Sequence, residues 1–201
     1  MAIIISFWWF DDSIHYITIE FLKDKGRAAQ KVKDYLAKLK SHNRKPKAIH
    51  LDGSKEFLNV SRWCQENSIE VQTTAPYSPS QNSVAEHMNR TLVEIACAMI
   101  QGLPEYLWEY AISHASYLCN CVRTKSLKQQ TLYEKWFKKK PNISHLWEFG
   151  APVWVLLQGQ KKPRKMETKS QRPVFVGFDD GSKSIKYYNV ETCKVLTCRN
   201  I

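Results

Sequence analysis

Two acidic residues, Asp52 and Glu86, stand where a folded chain can present carboxylates for catalysis. Asp52 ends a short strand-like run at residues 47–52, and Glu86 lies near the start of a helical stretch at residues 83–101. Two carboxylates within about 4 Å repel each other by about 4 kcal/mol at an effective dielectric constant of about 20, so a bound cation is what makes such a pair tolerable. Each acid alone also has a structural explanation, as the end of a strand or as a favourable charge at a helix N-terminus.

The first half of the chain predicts helices laid on a sheet. Residues 3–10 and 16–21 are rich in β-branched and aromatic side chains, and the intervening Asp11-Asp12-Ser13 predicts a hairpin turn. Further along, strands are predicted at residues 47–52 and 69–74, and helices at residues 28–39, 57–67 and 83–101.

The helix predicted at residues 83–101 carries Glu86 on its polar side. Ser83 fits an N-cap, and Glu86 stands three residues later, which completes a capping-box pattern. Asn89 and Arg90 share the face of Glu86 near the start of the helix. Another face is an apolar stripe made of Met88, Leu92, Ile95 and Met99.

The pattern changes from helices to short strands in the second half of the chain. Helices are predicted at residues 103–121 and 131–137, and strands at residues 153–157, 174–178, 185–189 and 194–198. Residues 158–172 are rich in Lys, Gln, Gly and Pro and contain no aromatic residue, which indicates an exposed loop. Trp108 and Trp136 are predicted to be core aromatic residues rather than base-stacking platforms.

Composition favours a polyanionic partner. The 201 residues include 30 Lys and Arg against 19 Asp and Glu, a formal net charge of +11, although solvated basic faces are also common. No stretch approaches the roughly 20 apolar residues of a membrane span, so no membrane association is expected. Six cysteines without a C-x-x-C pair, and without paired His and Cys spacing, predict reduced intracellular thiols and no zinc finger.

Two ordered motifs around the acids resemble the integrase catalytic core of copia-type long-terminal-repeat retrotransposons. Residues 50–59 read H-L-D-G-S-K-E-F-L-N, where the family runs approximately R-S-D-N-G-G-E-F. Residues 76–92 read P-Y-S-P-S-Q-N-S-V-A-E-H-M-N-R-T-L, where the family runs P-Y-T-P-Q-Q-N-G-V-A-E-R-x-N-R-T-L. Flanking segments at residues 10–25, 103–150 and 174–192 also follow the family, so the resemblance covers nearly the whole chain.

The resemblance implies an α/β fold in two parts. The first is a ribonuclease-H-like core of the retroviral integrase type, with a mixed sheet and helices, and the second is a small all-β, barrel-like domain. The implied divisions are a partial catalytic core at residues 1–122, a helical connector at residues 123–150 and a Src-homology-3-like β-domain at residues 151–201.

The same resemblance implies metal-dependent DNA strand transfer for DNA integration. In the family, three carboxylates hold two Mg²⁺ or Mn²⁺ ions, and Asp52 matches the second carboxylate and Glu86 the third. Both are therefore expected to be catalytic and metal-binding. Nucleic-acid contacts are expected from residues in the loop that closes over the site in the family and on the helix that follows, namely Gln81, Asn82, Asn89 and Arg90. For Arg90, pairing with Glu86 or Glu94 on the helix surface is the open alternative.

The first family carboxylate has no match in this chain. Asp11 and Asp12 match the hairpin turn that follows that carboxylate in the family, and Ser54-Lys55, Ser83 and His87 replace residues of the family motifs. These departures predict impaired catalysis, so enzymatic activity as a D-D-E polynucleotidyl transferase stays open. The alternative is a degenerate or domesticated, non-catalytic nucleic-acid-binding module.

The resemblance also implies partners and location. The expected partners are DNA, as element ends and target, with RNA as a further option, and a homo-oligomer in the intact family enzyme. The expected location is the nucleus. Lys138-Lys139-Lys140 and Lys161-Lys162 are basic clusters that form either a solvated face or an additional phosphate contact.

Overall fold

The computed structural model describes residues 5–11, 14–22, 25–41, 44, 46–51, 58–73, 83–156, 170–179 and 184–199. The chain divides into two compact units. One consists of Met1–Phe10 and Thr18–Asn89, and the other of Asp11–Ile17 and Arg90–Ile201. Within the described part of the chain, no helix combines the length and the apolar character that a bilayer crossing requires.

The first unit is built from a hairpin and a parallel strand pair with their helices. β1 (Ile5–Phe10) pairs with β2 (Ile17–Leu22), and α1 (Ala28–Ser41) follows. β3 (Ala48–Leu51) then pairs in parallel with β4 (Glu70–Thr73), and α2 (Leu58–Glu66) lies between them in the chain. A parallel pair needs such a crossover because its two strands start at the same edge.

Apolar side chains at helical and strand spacing form the core of this unit. α1 contributes three of them to the buried side, because positions four apart lie on one face of a helix. Elsewhere on α1, Lys31 Nζ lies 2.9 Å from Glu20 Oε2, which ties the helix to β2. The buried core residues are Leu22, Ala28, Val32, Leu36, Ile49, Val60, Cys64 and Ile69.

α3 (Ser83–Met99) is the longest helix among the described residues. Leu92 is fully buried and Ala96 is 4% exposed, whereas Val93 is 44% exposed, so one face of the helix is inside and the other outside. The apolar stripe that the sequence predicts is the inner face, with Met88, Ile95 and Met99 partly buried beside Leu92.

The second unit includes α4 (Trp108–Cys121), which a 3-10 turn at Glu105–Leu107 precedes, and α5 (Leu132–Phe137). Asn120 of α4 is buried and exchanges two hydrogen bonds with Ile17, accepting from its backbone N–H at 3.0 Å and donating to its carbonyl at 2.8 Å. Tyr16 stacks on Trp136 with ring centroids 4.8 Å apart. Trp136 is thus a buried aromatic residue, as predicted, and Trp108 is partly buried.

Five short strands complete this unit. β5 (Val155–Leu156) pairs antiparallel with β6 (Ser170–Gln171), and β7 (Val174–Phe178), β8 (Ile185–Asn189) and β9 (Lys194–Cys198) form an antiparallel sheet in that order. At a bulge between Phe175 and Gly177, Gly177 has a φ of 138°, a backbone conformation that favours glycine. The buried core residues here are Val153, Val155, Phe175, Ile185 and Tyr187.

The observed elements follow the predicted ones with three differences. The helix predicted from residue 103 begins at Trp108, after the 3-10 turn. Of the strand predicted at residues 153–157, Val155–Leu156 form β5, residues 153–154 precede it, and residue 157 lies outside the described residues. Ser170–Gln171 form β6 inside the segment predicted to be an exposed loop, because pairing with β5, and not an apolar pattern, makes them a strand. All six cysteines are described, and none forms a disulfide.

Candidate functional site

The strand that leads into Asp52 runs parallel to its neighbour. Ala48 lies opposite Glu70 and Leu51 opposite Thr73, so β3 and β4 end together at one edge. Asp52 follows Leu51 directly in the sequence, and the carboxyl edge of parallel strands is where α/β sheets bind ligands. Asp52 itself lies outside the described residues, as do Gln81 and Asn82.

Glu86 lies in the first turn of α3 and is exposed to solvent. Its position follows from the helix pattern: the buried stripe around Leu92 fixes which face is turned inward, and Glu86 falls outside that stripe. A carboxylate there is also stabilised by the helix dipole, by about 0.3–1 kcal/mol. The Ser83 side chain, which the sequence predicts as the cap, lies outside the described residues.

Asn89 lies one turn after Glu86 and is partly buried. Among the described residues, its Oδ1 is a buried side-chain oxygen without a hydrogen-bond donor. A buried polar atom left unpaired costs about 1–3 kcal/mol, so an added donor or cation at this position would relieve a cost in the folded chain. Its Nδ2 group is a donor of the kind that contacts phosphates.

Arg90 pairs with Glu94 on the surface of α3. Its Nε donates to Glu94 Oε1 at 2.8 Å, and both side chains are largely exposed, at 79% and 62%. The hydrogen bond from Arg90 to Glu94 raises the pKa of Arg90. Of the alternatives that the sequence left open, the ion pair with Glu94 is present. Solvent screens an exposed pair of this type, so the guanidinium can exchange Glu94 for a phosphate at little cost.

Asp11 belongs to the hairpin turn. Its Oδ1 accepts a hydrogen bond from the backbone N–H of Ile14 at 2.8 Å, and its carbonyl accepts one from the N–H of His15 at 2.6 Å. This is the side-chain turn for which aspartate is favoured, and it agrees with the match of Asp11 to the hairpin rather than to a carboxylate ligand. Asp12 lies outside the described residues.

The donor set fits a hard divalent cation by its chemistry. Asp52, Glu86 and the unpaired Oδ1 of Asn89 are all oxygen donors, which Mg²⁺ and Mn²⁺ prefer. Within the residues that the structure describes, no group of three or more His, Cys, Asp or Glu side chains is close enough to hold a metal ion. Asp52 is not among those residues.

Of the two basic clusters predicted from the sequence, one lies in the described part of the chain and the other does not. Lys138, Lys139 and Lys140 follow α5 and are exposed, as either predicted role requires. Lys161 and Lys162 lie outside the described residues.

One surface was not singled out from the sequence. Trp154 and Leu156 are each 59% exposed, while Val153 and Val155, which alternate with them, are buried. This alternation is a signal that the sequence does contain, since successive residues of a strand point to opposite faces. It predicts which side chains point outward, but not that two large apolar ones stay uncovered.

Comparison with known proteins relates the chain to retroviral and transposon sequences. A family model described as the retroviral polymerase SH3-like domain matches residues 151–201. The retrovirus-related Pol polyprotein from transposon TNT 1-94 of Nicotiana tabacum is 27% identical over 196 residues, which are 95% of this chain and 15% of that protein. The chain therefore spans only a small part of the length of that relative.

Two solved structures resemble the fold. The cryo-EM structure of the simian T-cell lymphotropic virus intasome in complex with PP2A regulatory subunit B56 gamma matches 96% of this chain and 69% of that one, with a TM-score of 0.54 and 15% identity. The crystal structure of the catalytic core domain of BIV integrase matches 67% of this chain and 86% of that one, with a TM-score of 0.52 and 20% identity. At these identities the likeness is one of fold. The predicted ribonuclease-H-like, integrase-type fold is confirmed, and the small antiparallel sheet lies at the C-terminal end of the chain as predicted.

Proposed function

Homology relates this chain to the Pol polyproteins of copia-type retrotransposons, and on that premise we propose that it contributes a metal-dependent, DNA-binding integrase site formed around Asp52 and Glu86. The predicted similarity to retrovirus-related Pol polyproteins of transposons is confirmed. Beyond that similarity, we propose that the chain binds a divalent metal and nucleic acid and that its catalysis is impaired.

The observation that carries the proposal is the arrangement of the two elements that bear the acids. The parallel pair β3–β4 ends at its carboxyl edge with Leu51 and Thr73, and Asp52 follows Leu51 in the sequence. The long helix α3 presents Glu86, exposed, in its first turn. The strand pair and the first turn of α3 belong to the same compact unit. A strand end and a helix start can hold carboxylates on rigid backbone, which two-metal phosphoryl chemistry requires.

In this proposal, Asp52 and Glu86 would hold a divalent ion, which when bound activates an oxygen nucleophile and stabilises the leaving oxygen of a phosphodiester. Asn89 donates from Nδ2 to a phosphate. Arg90 leaves Glu94 and binds a phosphate oxygen. Gln81 and Asn82, in the segment before α3, contact the DNA end.

We further propose that the 201-residue chain, taken alone, binds DNA without transferring strands. Asp52 and Glu86 match two of the three family carboxylates. Asp11, the first acid of the hairpin turn, accepts a hydrogen bond from the backbone N–H of Ile14. The degenerate, non-catalytic nucleic-acid-binding module is the second candidate, and the same observation favours it. Proposed partners are element-end and target DNA, RNA as a further option, and further copies of the chain, in the nucleus.

Divalent metal binding is tested by the stability of the full chain with and without Mn²⁺ or Mg²⁺. An ion present at about ten times its dissociation constant adds about 1.4 kcal/mol to the free energy of unfolding. We expect a stabilisation of this order in the wild-type chain, and its loss in Asp52→Asn and Glu86→Gln, measured by urea unfolding. Glu66→Gln, which changes another exposed helical glutamate, is the control and should keep the full effect.

The two candidate functions differ in these outcomes. If neither ion stabilises the wild-type chain, the metal site is contradicted and the non-catalytic module is the remaining candidate. A stabilisation that persists in both Asp52→Asn and Glu86→Gln places the ion elsewhere. A strand-transfer assay on the same protein is expected to yield no joined product, and a joined product would contradict the proposed impairment.

DNA binding is tested by titrating labelled duplex DNA at about 50 mM and about 200 mM salt. We expect affinity to fall steeply as salt rises, because each phosphate contact releases counterions. Arg90→Gln should weaken binding and lower the salt slope by about one, whereas Arg62→Gln, an exposed arginine of α2, should not. Equal effects of the two substitutions would mean that Arg90 serves only its pair with Glu94.

A further inference from the structure

Among the described strands, β9 lies at one edge of its sheet and pairs on one side only. It pairs with β8 along its whole length, from Lys194 opposite Asn189 to Cys198 opposite Ile185. In the part of the chain that the structure describes, no strand pairs with its other side. An edge of this kind presents backbone N–H and C=O groups in the spacing that another strand can bind.

A depression lies along this strand, between β9 and the β5–β6 pair, with a cavity volume of about 420 Å³. Gln171 and Asn189 form its polar part, where Asn189 Nδ2 donates to Gln171 Oε1 at 2.8 Å. Leu156 and Leu196 contribute to its apolar part. The described residues that line it are uncharged, and they suit a peptide backbone and aliphatic side chains better than phosphate groups.

The apolar side chains along the depression are left uncovered. Leu156 is 59% exposed and Leu196 is 41% exposed. Two residues before Leu156, Trp154 is also 59% exposed, with the guanidinium of Arg172 lying 5.8 Å from its ring centroid. An aliphatic side chain laid between Leu156 and Leu196 would remove apolar surface from water on both sides.

The charge around β9 is mostly positive. Lys194 starts the strand and Arg199 follows it, so a cation stands at each end, and the turn before the strand contributes one acid, Glu191. Acidic side chains on a strand docked along β9 would therefore be favoured.

We propose that the outer edge of β9 binds an extended acidic peptide segment of a partner protein, which adds to the sheet as a further strand and places aliphatic side chains against Leu156 and Leu196. Main-chain hydrogen bonds give such a complex its affinity, and pockets for alternate side chains give its specificity. A second copy of this chain is disfavoured, because antiparallel pairing of two β9 strands brings Lys194 of one copy near Arg199 of the other. The proposal does not depend on the proposed integrase site.

The test is a fluorescence anisotropy titration of the full chain with a short labelled peptide that alternates glutamate with leucine or valine. We expect Leu196→Glu to weaken binding about tenfold, because it puts a like charge at the apolar contact. Val190→Glu is the matched control, since Val190 is also an exposed aliphatic residue but lies in the β8–β9 turn, outside the depression, and its effect should stay within about twofold.

Three further peptides, one with lysine and two with N-methylated amides, test the mode of binding without any variant of the protein. The peptide with lysine in place of glutamate should not bind. N-methylation of one set of alternate amides should abolish binding and N-methylation of the other set should not, because only one set faces β9. No binding of the glutamate peptide, equal binding of the lysine peptide, or equal effects of the two N-methylated sets would overturn the proposal. So would a loss of duplex DNA affinity in Leu196→Glu without a loss of peptide affinity, which would assign the surface to nucleic acid.

Discussion

His114 of α4 is a titratable side chain held among aromatic rings. It is 4% exposed, and its ring centroid lies 5.8 Å from that of Phe149 and 5.7 Å from that of Phe175. Burial lowers the pKa of His114 from 6.5 to about 4, because the charged form loses its hydration in this environment. His114 is therefore neutral in the folded chain near neutral pH.

This burial predicts a loss of stability on acidification. Between pH 6.5 and about 4 the unfolded chain binds a proton at His114 and the folded chain does not, so stability falls as pH falls through that window. The whole shift corresponds to about 3 kcal/mol. We expect His114→Leu to reduce the difference in free energy of unfolding between the two ends of the window, measured with urea. Equal losses in the wild-type chain and in His114→Leu would contradict the assignment.

Single residues also show where sequence reasoning stops. The resemblance to the family motifs predicts Asp52 and Glu86 as site residues, and the structure adds that Glu86 is exposed in the first turn of α3. The sequence left Glu86, Glu94 and a phosphate open as partners of Arg90, because both glutamates lie four positions from Arg90 on the helix. The hydrogen bond to Glu94 is a matter of side-chain geometry, which a residue pattern does not contain.

Among the elements, α5 has a local signal strong enough to fix its start. Thr131 Oγ1 accepts from the backbone N–H of Glu134 at 2.9 Å, and Glu134 Oε2 accepts from the backbone N–H of Thr131 at 2.8 Å. These reciprocal bonds form a capping box. The bond from the backbone of Thr131 also lowers the pKa of Glu134.

Removal of this cap is expected to destabilise the chain. Thr131→Ala should lower the free energy of unfolding by about 1 kcal/mol, since the N–H of Glu134 loses its acceptor. Urea unfolding measures the change, with Thr192→Ala, at an exposed turn residue, as the control. Equal, small effects of the two substitutions would show that the cap contributes nothing measurable.

Helices and the longer strands were predictable because their patterns are local. The apolar stripe of α3 and the strands β7, β8 and β9 follow from side-chain periodicity over a few residues. β6 was missed because its two residues carry no periodic pattern, and only pairing with β5 makes them a strand.

The molecule as a whole forms two compact units whose boundaries are discontinuous in sequence. The divisions predicted at residues 1–122, 123–150 and 151–201 stay a prediction. The packing of His114 in α4 against Phe175 in β7 shows that side chains before residue 151 contribute to the surroundings of the small sheet.

Local patterns and motif order were enough to predict the helices, most of the strands and the integrase-type fold, because each depends on neighbouring residues or on a motif that survives largely intact. Three-dimensional packing was needed to establish that Asn120 satisfies both backbone groups of Ile17, 103 positions away, and that Leu156 and Leu196 border one depression. Such contacts join residues far apart in the chain, and their partners are fixed by packing rather than by any local pattern.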